Sequence, residues 1–300
     1  MNELIAALVA AGVIDRETAD LMRRALDPAE LQLWAEAELT TAYARALNGQ
    51  QQRLLDVVRA AGVTATARQL SLFWDGEDER MWRTLEPSLS DIAVEVATVR
   101  AIEAAMVERF TVINVTDFDV WSGVNDELLG WVRQHYTSTS LEAFGSVPNL
   151  NITSRQQFAQ VFEMWQRGDL PQSILDMSTG GMEDLINALQ PLFGPERAER
   201  IAVTETTRIY ARSTQAAADA QPDVTYLRLS TAADERVCPI CGPLHGYTRP
   251  KNRPYYLHPT LGEVTLPAHV CCRCRELLET DATVQVPMGP EDTYEWQGEL

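Results

Sequence analysis

The stretch "CPIC", residues 238–241, and its counterpart "HVCCRC", residues 269–274, hold all five cysteines of a 300-residue chain. A C-x-x-C turn brings two sulfurs within reach of one metal ion, and ligands from a distant segment complete a tetrahedron while closing a long loop. The first pair is Cys238 and Cys241. The second is drawn from His269, Cys272 and Cys274, with Cys271 as an alternate. The surrounding module, about fifty residues long, has too little core to hold itself, so a structural zinc supplies the stability that burial cannot.

The competing uses of the thiols fit less well. Disulfides need an oxidising compartment and leave one of the five cysteines unpaired. A redox C-x-x-C pair wants a βαβ setting and leaves the second cluster unexplained. A catalytic zinc keeps a water position and a general base nearby. His245 and His258 are the candidates for that base, but each lies in a Pro-rich loop. Four strong ligands leave no open position, so no catalytic residue is assigned and the chain reads as a non-enzyme.

Outward from the cysteines, composition changes after Pro222. "TYLRLS" alternates like a strand, and "YYLHPTLGEVTL" reads as two short strands around a Leu-Gly turn. "CGPLHGYTRPKNRPYY" between them reads as a loop. Beyond Arg275 the chain carries seven carboxylates (Glu276, Glu279, Asp281, Glu291, Asp292, Glu295 and Glu299) and no Lys or Arg, which marks a mobile tail or one that docks on a basic partner.

Upstream, helical patterning dominates. "LIAALVAAGVI" (residues 4–14) reads as an amphipathic helix ending at Gly12, and Asp15 with Thr18 caps the next, "RETADLMRRAL". "AELQLWAEAELTTAYARALNGQQQRLLDVVRAAG" keeps helical rhythm until Gly62. "LFWDGEDERMW" and "FTVINVTDFDVWSGVNDELLGWV" are less regular, with a helix expected from Asp91 to about Phe110 and a short strand at "TVINVT". Trp74, Trp82, Trp121 and Trp131 read as core or partner packing. "SVPNLNITS" reads as a loop, with Ser154 and Gln157 as a capping box ahead of Phe158, Val161, Phe162 and Trp165, and Gly168 as the stop. One helix through "SILDM" and "MEDLINALQPLF" precedes a long one that opens at Gly194-Pro195 and runs to about Ala220. On that last helix Glu205, Arg208 and Arg212 fall on or beside the apolar arc. A surface ladder of little energetic worth is the preferred reading, over a buried ion network that aligns the helix on the cysteine module.

The fold class is therefore mainly α, with a small C-terminal α+β zinc-binding module. The expected divisions are a helical region at 1–150, a second helical part at 151–222, the zinc-stapled module at 223–280 and an acidic tail at 281–300. No apolar run reaches the eighteen residues of a membrane span, so a soluble chain working in a cytoplasm is expected, with no membrane partner. With 25 basic against 43 acidic side chains and a net charge of -18, a general nucleic-acid binder is excluded. Any such contact would be local, at Arg249, Lys251 and Arg253. The acidity suits docking on a basic protein surface.

"STAADERVCPICGPLHG" (230–246) and "LPAHVCCRC" (266–274), preceded by "RIAVTETTRIYARSTQAA" (200–217), resemble the phage head morphogenesis family, the Mu F-like minor head proteins of tailed bacteriophages. That family couples Asp-Glu-Arg before C-x-x-C with a terminal H-P-x-C-R-C. Asp234, Glu235, Arg236, Cys238, Cys241, His269, Cys272, Arg273 and Cys274 match, over about residues 154–278. Val270 departs from the expected proline, and Cys271 leaves the ligand register open by one residue. The resemblance implies a minor capsid protein of the virion, assembled in the host cytoplasm. Its implied partners are the portal protein and other capsid or scaffold proteins, in head assembly or in DNA packaging and delivery. A zinc-containing nuclease or toxin-like enzyme is the alternative, and a host regulatory zinc protein a third reading.

Overall fold

Ala, Leu, Glu and Gln lose little side-chain freedom in a helix, and the chain uses them accordingly. The computed structural model describes residues 9–10, 12, 16, 19–20, 23, 28–61, 67–107, 118–140, 143–231 and 238–280. Its helices are α1 (Pro28–Ala61), α2 (Ala67–Trp74), α3 (Glu77–Val107), α4 (Phe118–Tyr136), α5 (Val147–Arg167), α6 (Gln172–Leu175), α7 (Met182–Phe193) and α8 (Pro195–Ala220). The strands follow as β1 (Val224–Ser230), β2 (Thr248–Pro250), β3 (Tyr256–His258), β4 (Gly262–Val264) and β5 (Arg275–Thr280). The architecture is thus mainly helical with a small C-terminal sheet region.

Helices α1 and α8 match their sequence reading, Pro28 and Pro195 standing at first positions where a missing N–H costs nothing. Several expectations are corrected. Helix α3 begins at Glu77, not near Asp91, and continues through Pro87. Its start is marked by Gly76 at φ +80 and by Glu77, Asp78 and Glu79 in the first turn, where carboxylates complement the helix dipole. "SVPNLNITS" is helix, not loop: Ser146 is the N-cap of α5, and Pro148 occupies its first turn. Ser154 is consequently buried mid-helix and caps nothing. Gly168 ends α5 in the left-handed conformation, as read. The single helix expected through "SILDM" is divided into α6 and α7 by Gly180 (φ +100) and Gly181 (φ +66). The expected helix at 4–14, its successor and the strand at 111–116 lie largely outside the described residues. So do Asp234, Glu235 and Arg236, and residues 281–300.

By contacts the chain divides into two units, one of Met1–Ala35, Ser90–Gly130 and Val203–Leu300, the other of Glu36–Leu89 and Trp131–Ala202. The second is helical. Leu39, Tyr43, Leu47, Leu54, Phe158, Phe162, Leu189 and Phe193 are buried there. A polar knot is buried with them. Glu77 receives Arg53 (2.8 and 3.1 Å) and Arg80 (2.8 Å), while Gln50 donates to Asn151 (2.6 Å), which donates to Asp78. Burial works to raise the pKa of Glu77, but the two arginines outweigh it and hold the carboxyl below its ordinary range.

The first unit carries the sheet, ordered β2-β1-β5 with antiparallel neighbours, and the hairpin β3-β4. "TYLRLS" and "YYLHPTLGEVTL" form strands as expected. Two strands were hidden: β2 lies in the supposed loop, and β5 in the supposed tail. Glu276 and Glu279 are therefore not tail residues. Glu279 accepts from Arg228 (2.6 Å), and buried Glu276 accepts from Arg249 (2.8 and 3.0 Å) and from Tyr256 Oη (2.8 Å). Arg100, fully buried, ties three elements together: its Nε donates to Thr214 on α8 (2.9 Å), its Nη2 to the carbonyl of Glu276 on β5, and its guanidinium lies 5.5 Å from the Tyr210 ring centre.

Candidate metal centre

The C-x-x-C turn closes locally. The Cys241 and Gly242 N–H groups donate to the Cys238 carbonyl (3.0 and 2.9 Å), and the Cys241 N–H also reaches Cys238 Sγ at 3.3 Å. A short 3-10 turn, Gly242–Leu244, follows and points Leu244 into the core. On the facing segment the Cys272 N–H donates to the His269 carbonyl at 3.1 Å, folding His269 and Cys272 into a second turn.

The two turns meet. His269 Nε2 lies 3.0 Å from Cys238 Sγ and 2.9 Å from Cys241 Sγ, and Cys241 Sγ lies 3.9 Å from Cys272 Sγ. Two overlapping groups result, Cys238-Cys241-His269 and Cys241-Cys272-Cys274, with ligand atoms within 4.8 Å of one another inside each. All five residues drawn from the sequence are thus gathered, with Cys241 common to both groups. Cys271 is not: it is exposed, at φ +62, and belongs to neither group.

The histidine is presented in one orientation. Its Nδ1 sits 2.7 Å from the Val270 carbonyl, which can only accept, so Nδ1 donates there and Nε2 is the ring nitrogen that faces the sulfurs. The thiols are tightly coupled. Cys272 is held low because Cys241 and Cys274 both hydrogen-bond to it. Cys241 is pushed up by its bonds to Cys272 and Cys274 and by burial. Cys274 is drawn down by Cys241, but its bond to Cys272, burial and neighbouring thiolate charge raise it overall. Cys241 and Cys274 give up their protons only against a counter-charge, and a divalent cation is the counter-charge for which this donor set is suited. Two thiolates about 2.3 Å from a tetrahedral ion stand about 3.8 Å apart, close to the Cys241–Cys272 separation. The sulfur–imidazole distances are hydrogen-bonding ones, shorter than the about 3.5 Å that such an ion sets.

These cysteines are also the module's core. Cys241, Cys272 and Cys274 are buried with Leu229, Leu244, Tyr247, Tyr256 and Val264. The segment is held from outside by groups the sequence reading missed. Thr204 Oγ1 accepts the Cys271 N–H (2.9 Å), Thr207 Oγ1 donates to the Cys272 carbonyl, and Gln32 Nε2 donates to the Arg273 carbonyl (3.5 Å). The signal available was the run "TETT" on the face of α8. Arg208 and Glu205 pair at 3.2 Å with Glu205 fully buried, so the surface ladder is corrected to a partly buried pair. The threonines beside it make the contacts to the cysteine segment.

Residues 176–277 match the family model of phage Mu protein F-like proteins. The match covers about a third of the chain. No curated protein and no solved structure matches the chain. The matched segment starts later than the expected 154 and takes in α7, α8, β1 to β4, the first half of β5 and all five clustered residues.

The features offered for an enzyme are otherwise engaged. His245 Nδ1 accepts from the Thr231 N–H (3.2 Å), and His258 Nδ1 from the Thr260 and Leu261 N–H groups. Two of the three residues of the supposed basic patch are bonded within the module. Arg249 is buried against Glu276, and Lys251 Nζ donates to the carbonyls of Ala218 (3.1 Å) and Gln221 (2.9 Å) at the end of α8.

Proposed function

We propose that the chain is a minor head protein of a tailed phage, a non-enzymatic docking component of the portal vertex acting in head assembly or in DNA packaging and delivery. The observation that carries this is the Mu F-like match over residues 176–277, coincident with the gathered cysteines and histidine. Among the described residues no helix is long and apolar enough to cross a membrane, which agrees with a place in the virion and, during assembly, in the host cytoplasm.

In this reading one zinc ion is held by Cys238, Cys241, His269 and Cys272, with the Cys274 thiol donating to the Cys272 sulfur. The ion supplies a cross-link between two distant turns and no reaction. Docking energy comes from apolar helix faces and aromatic anchors, while charge sets register and encounter rate. No observation favours the nuclease reading, given the engagement of His245, His258, Arg249 and Lys251.

The test is made on particles. Mass spectrometry of virions produced from the genome that encodes the chain should find it at far fewer copies than the major capsid protein, and deletion should leave heads that do not mature or do not deliver DNA. Its absence from particles, together with normal infectivity of the deletion, would overturn the proposal.

A further inference from the structure

The helical unit of Glu36–Leu89 and Trp131–Ala202 carries a groove of about 950 Å³. Phe144, α5, α6, α7 and the first turns of α8 form its walls. Three large apolar side chains on those walls face water: Phe144 is 42% exposed, Ile152 47% and Met177 67%. Apolar side chains gathered at one concave site, and not scattered singly, mark an interaction surface.

A cation lies among them. Arg197 is half-buried, and its guanidinium bonds only to neutral oxygens: Ser154 Oγ (2.8 Å), the Leu192 carbonyl (2.5 Å) and the Leu150 carbonyl (3.4 Å). Among the described residues no carboxylate reaches it. That is unusual in a chain with 43 acidic side chains against 25 basic ones. Burial without a counter-charge pulls its pKa down to about 10, so an anion brought from outside would be favoured there. Arg200 and Glu196 line the same groove, and the positive charge that no carboxylate meets is that of Arg197. So small a zone, beside an apolar floor, suits one or two carboxylates and not a run of phosphates.

We infer that this groove docks an acidic peptide segment of a partner protein, with a large apolar side chain seated between Phe144, Ile152 and Met177 and a carboxylate of the segment paired to Arg197. The inference needs neither the metal nor the phage assignment.

The test is selection of a ribosome-displayed random peptide library on the full chain, followed by affinity measurement with the synthetic form of the most enriched peptide. Enriched sequences should pair Asp or Glu with a neighbouring Leu, Ile, Phe, Trp or Met. Ile152→Asp, at an exposed position, should weaken the synthetic peptide at least about tenfold, and Arg197→Gln by a similar factor. Arg197 also braces α5, so Arg200→Glu serves as a second charge variant, with wild-type circular dichroism required of each protein used. Enrichment of basic or uncharged peptides, no enrichment at all, or binding indifferent to Ile152→Asp would overturn the inference. So would a single-stranded oligonucleotide that binds the wild-type chain more tightly than the peptide.

Discussion

The hydroxyl of Thr207, on α8, donates to the backbone carbonyl of Cys272. With Thr204 and Gln32 it fixes the backbone on which Cys272 and Cys274 are mounted, so these contacts position both thiols. Preorganising contacts of this kind act on metal affinity without touching metal. Thr204→Val with Thr207→Val should lower zinc affinity about tenfold or more, measured by competition with a chromophoric chelator. The helical circular dichroism should hold. Affinity equal to wild type would show that the helix merely abuts the site.

The five clustered residues and Cys271 should separate cleanly in metal content. Reduced, anaerobically purified protein is expected to carry one zinc per chain. Cys241→Ser removes the residue common to both groups and should abolish binding, whereas Cys271→Ser should leave it intact. Cys271→Gly should retain zinc and gain up to about 1 kcal/mol, because φ +62 suits glycine better than a residue with a Cβ. Loss of zinc in Cys271→Ser would move the ligand register by one residue.

Cys238→Ser should loosen the module and spare the helices. Three of the eight residues of the module's buried cluster are cysteines, so loss of the cross-link loosens the core from within. Limited proteolysis should then cut within residues 238–280 while helix α1, Pro28–Ala61, stays protected. Equal protection throughout would mean that burial alone suffices.

What the sequence made legible follows from how local each signal is. Helix α8 announces itself through Pro195 at its first position and a run with no Gly or Pro to Ala220. The clustered cysteines announce themselves because C-x-x-C spacing is a local geometric requirement. Strand β5 did not, since "RELLET" reads as polar chain until Arg228, Arg249 and Tyr256 are known to meet Glu279 and Glu276. The start of α5 was lost to Pro148, which reads equally as a loop breaker and as a first-turn residue. The roles of Thr204, Thr207 and Gln32 depend on segments 67, 65 and 241 residues away in the chain, which no window of sequence contains.

Glu77 gives the helical unit a pH dependence of known sign. Its folded pKa lies below the ordinary carboxylate value, so the unfolded state binds protons more readily. Its contribution is present in full above the ordinary carboxylate range and is lost as pH falls through the lowered folded value. Glu77→Gln should cost about 1–3 kcal/mol near neutral pH, the scale of hydrogen bonds to charged groups, and should flatten the acid limb of a stability–pH curve. An unchanged limb would assign acid sensitivity elsewhere.

The pair Arg249–Glu276 separates a stabilising contact from a specifying one. Both side chains are almost fully buried and 2.8 Å apart, and Tyr256, whose phenol is pushed well up by burial and by the adjacent carboxylate, stays protonated and donates to the same oxygen. Removing one charge strands the other in a dry environment, so Glu276→Gln should cost about 3–5 kcal/mol. Replacing both, as Arg249→Met with Glu276→Leu, should recover most of that loss, because two desolvated charges return little net energy. Thermal melts of the three proteins decide the matter. A double variant as unstable as Glu276→Gln would mean that the ion pair stabilises the sheet outright. A recovered melting temperature would leave it the task of fixing which residues of β2 and β5 lie level across β1.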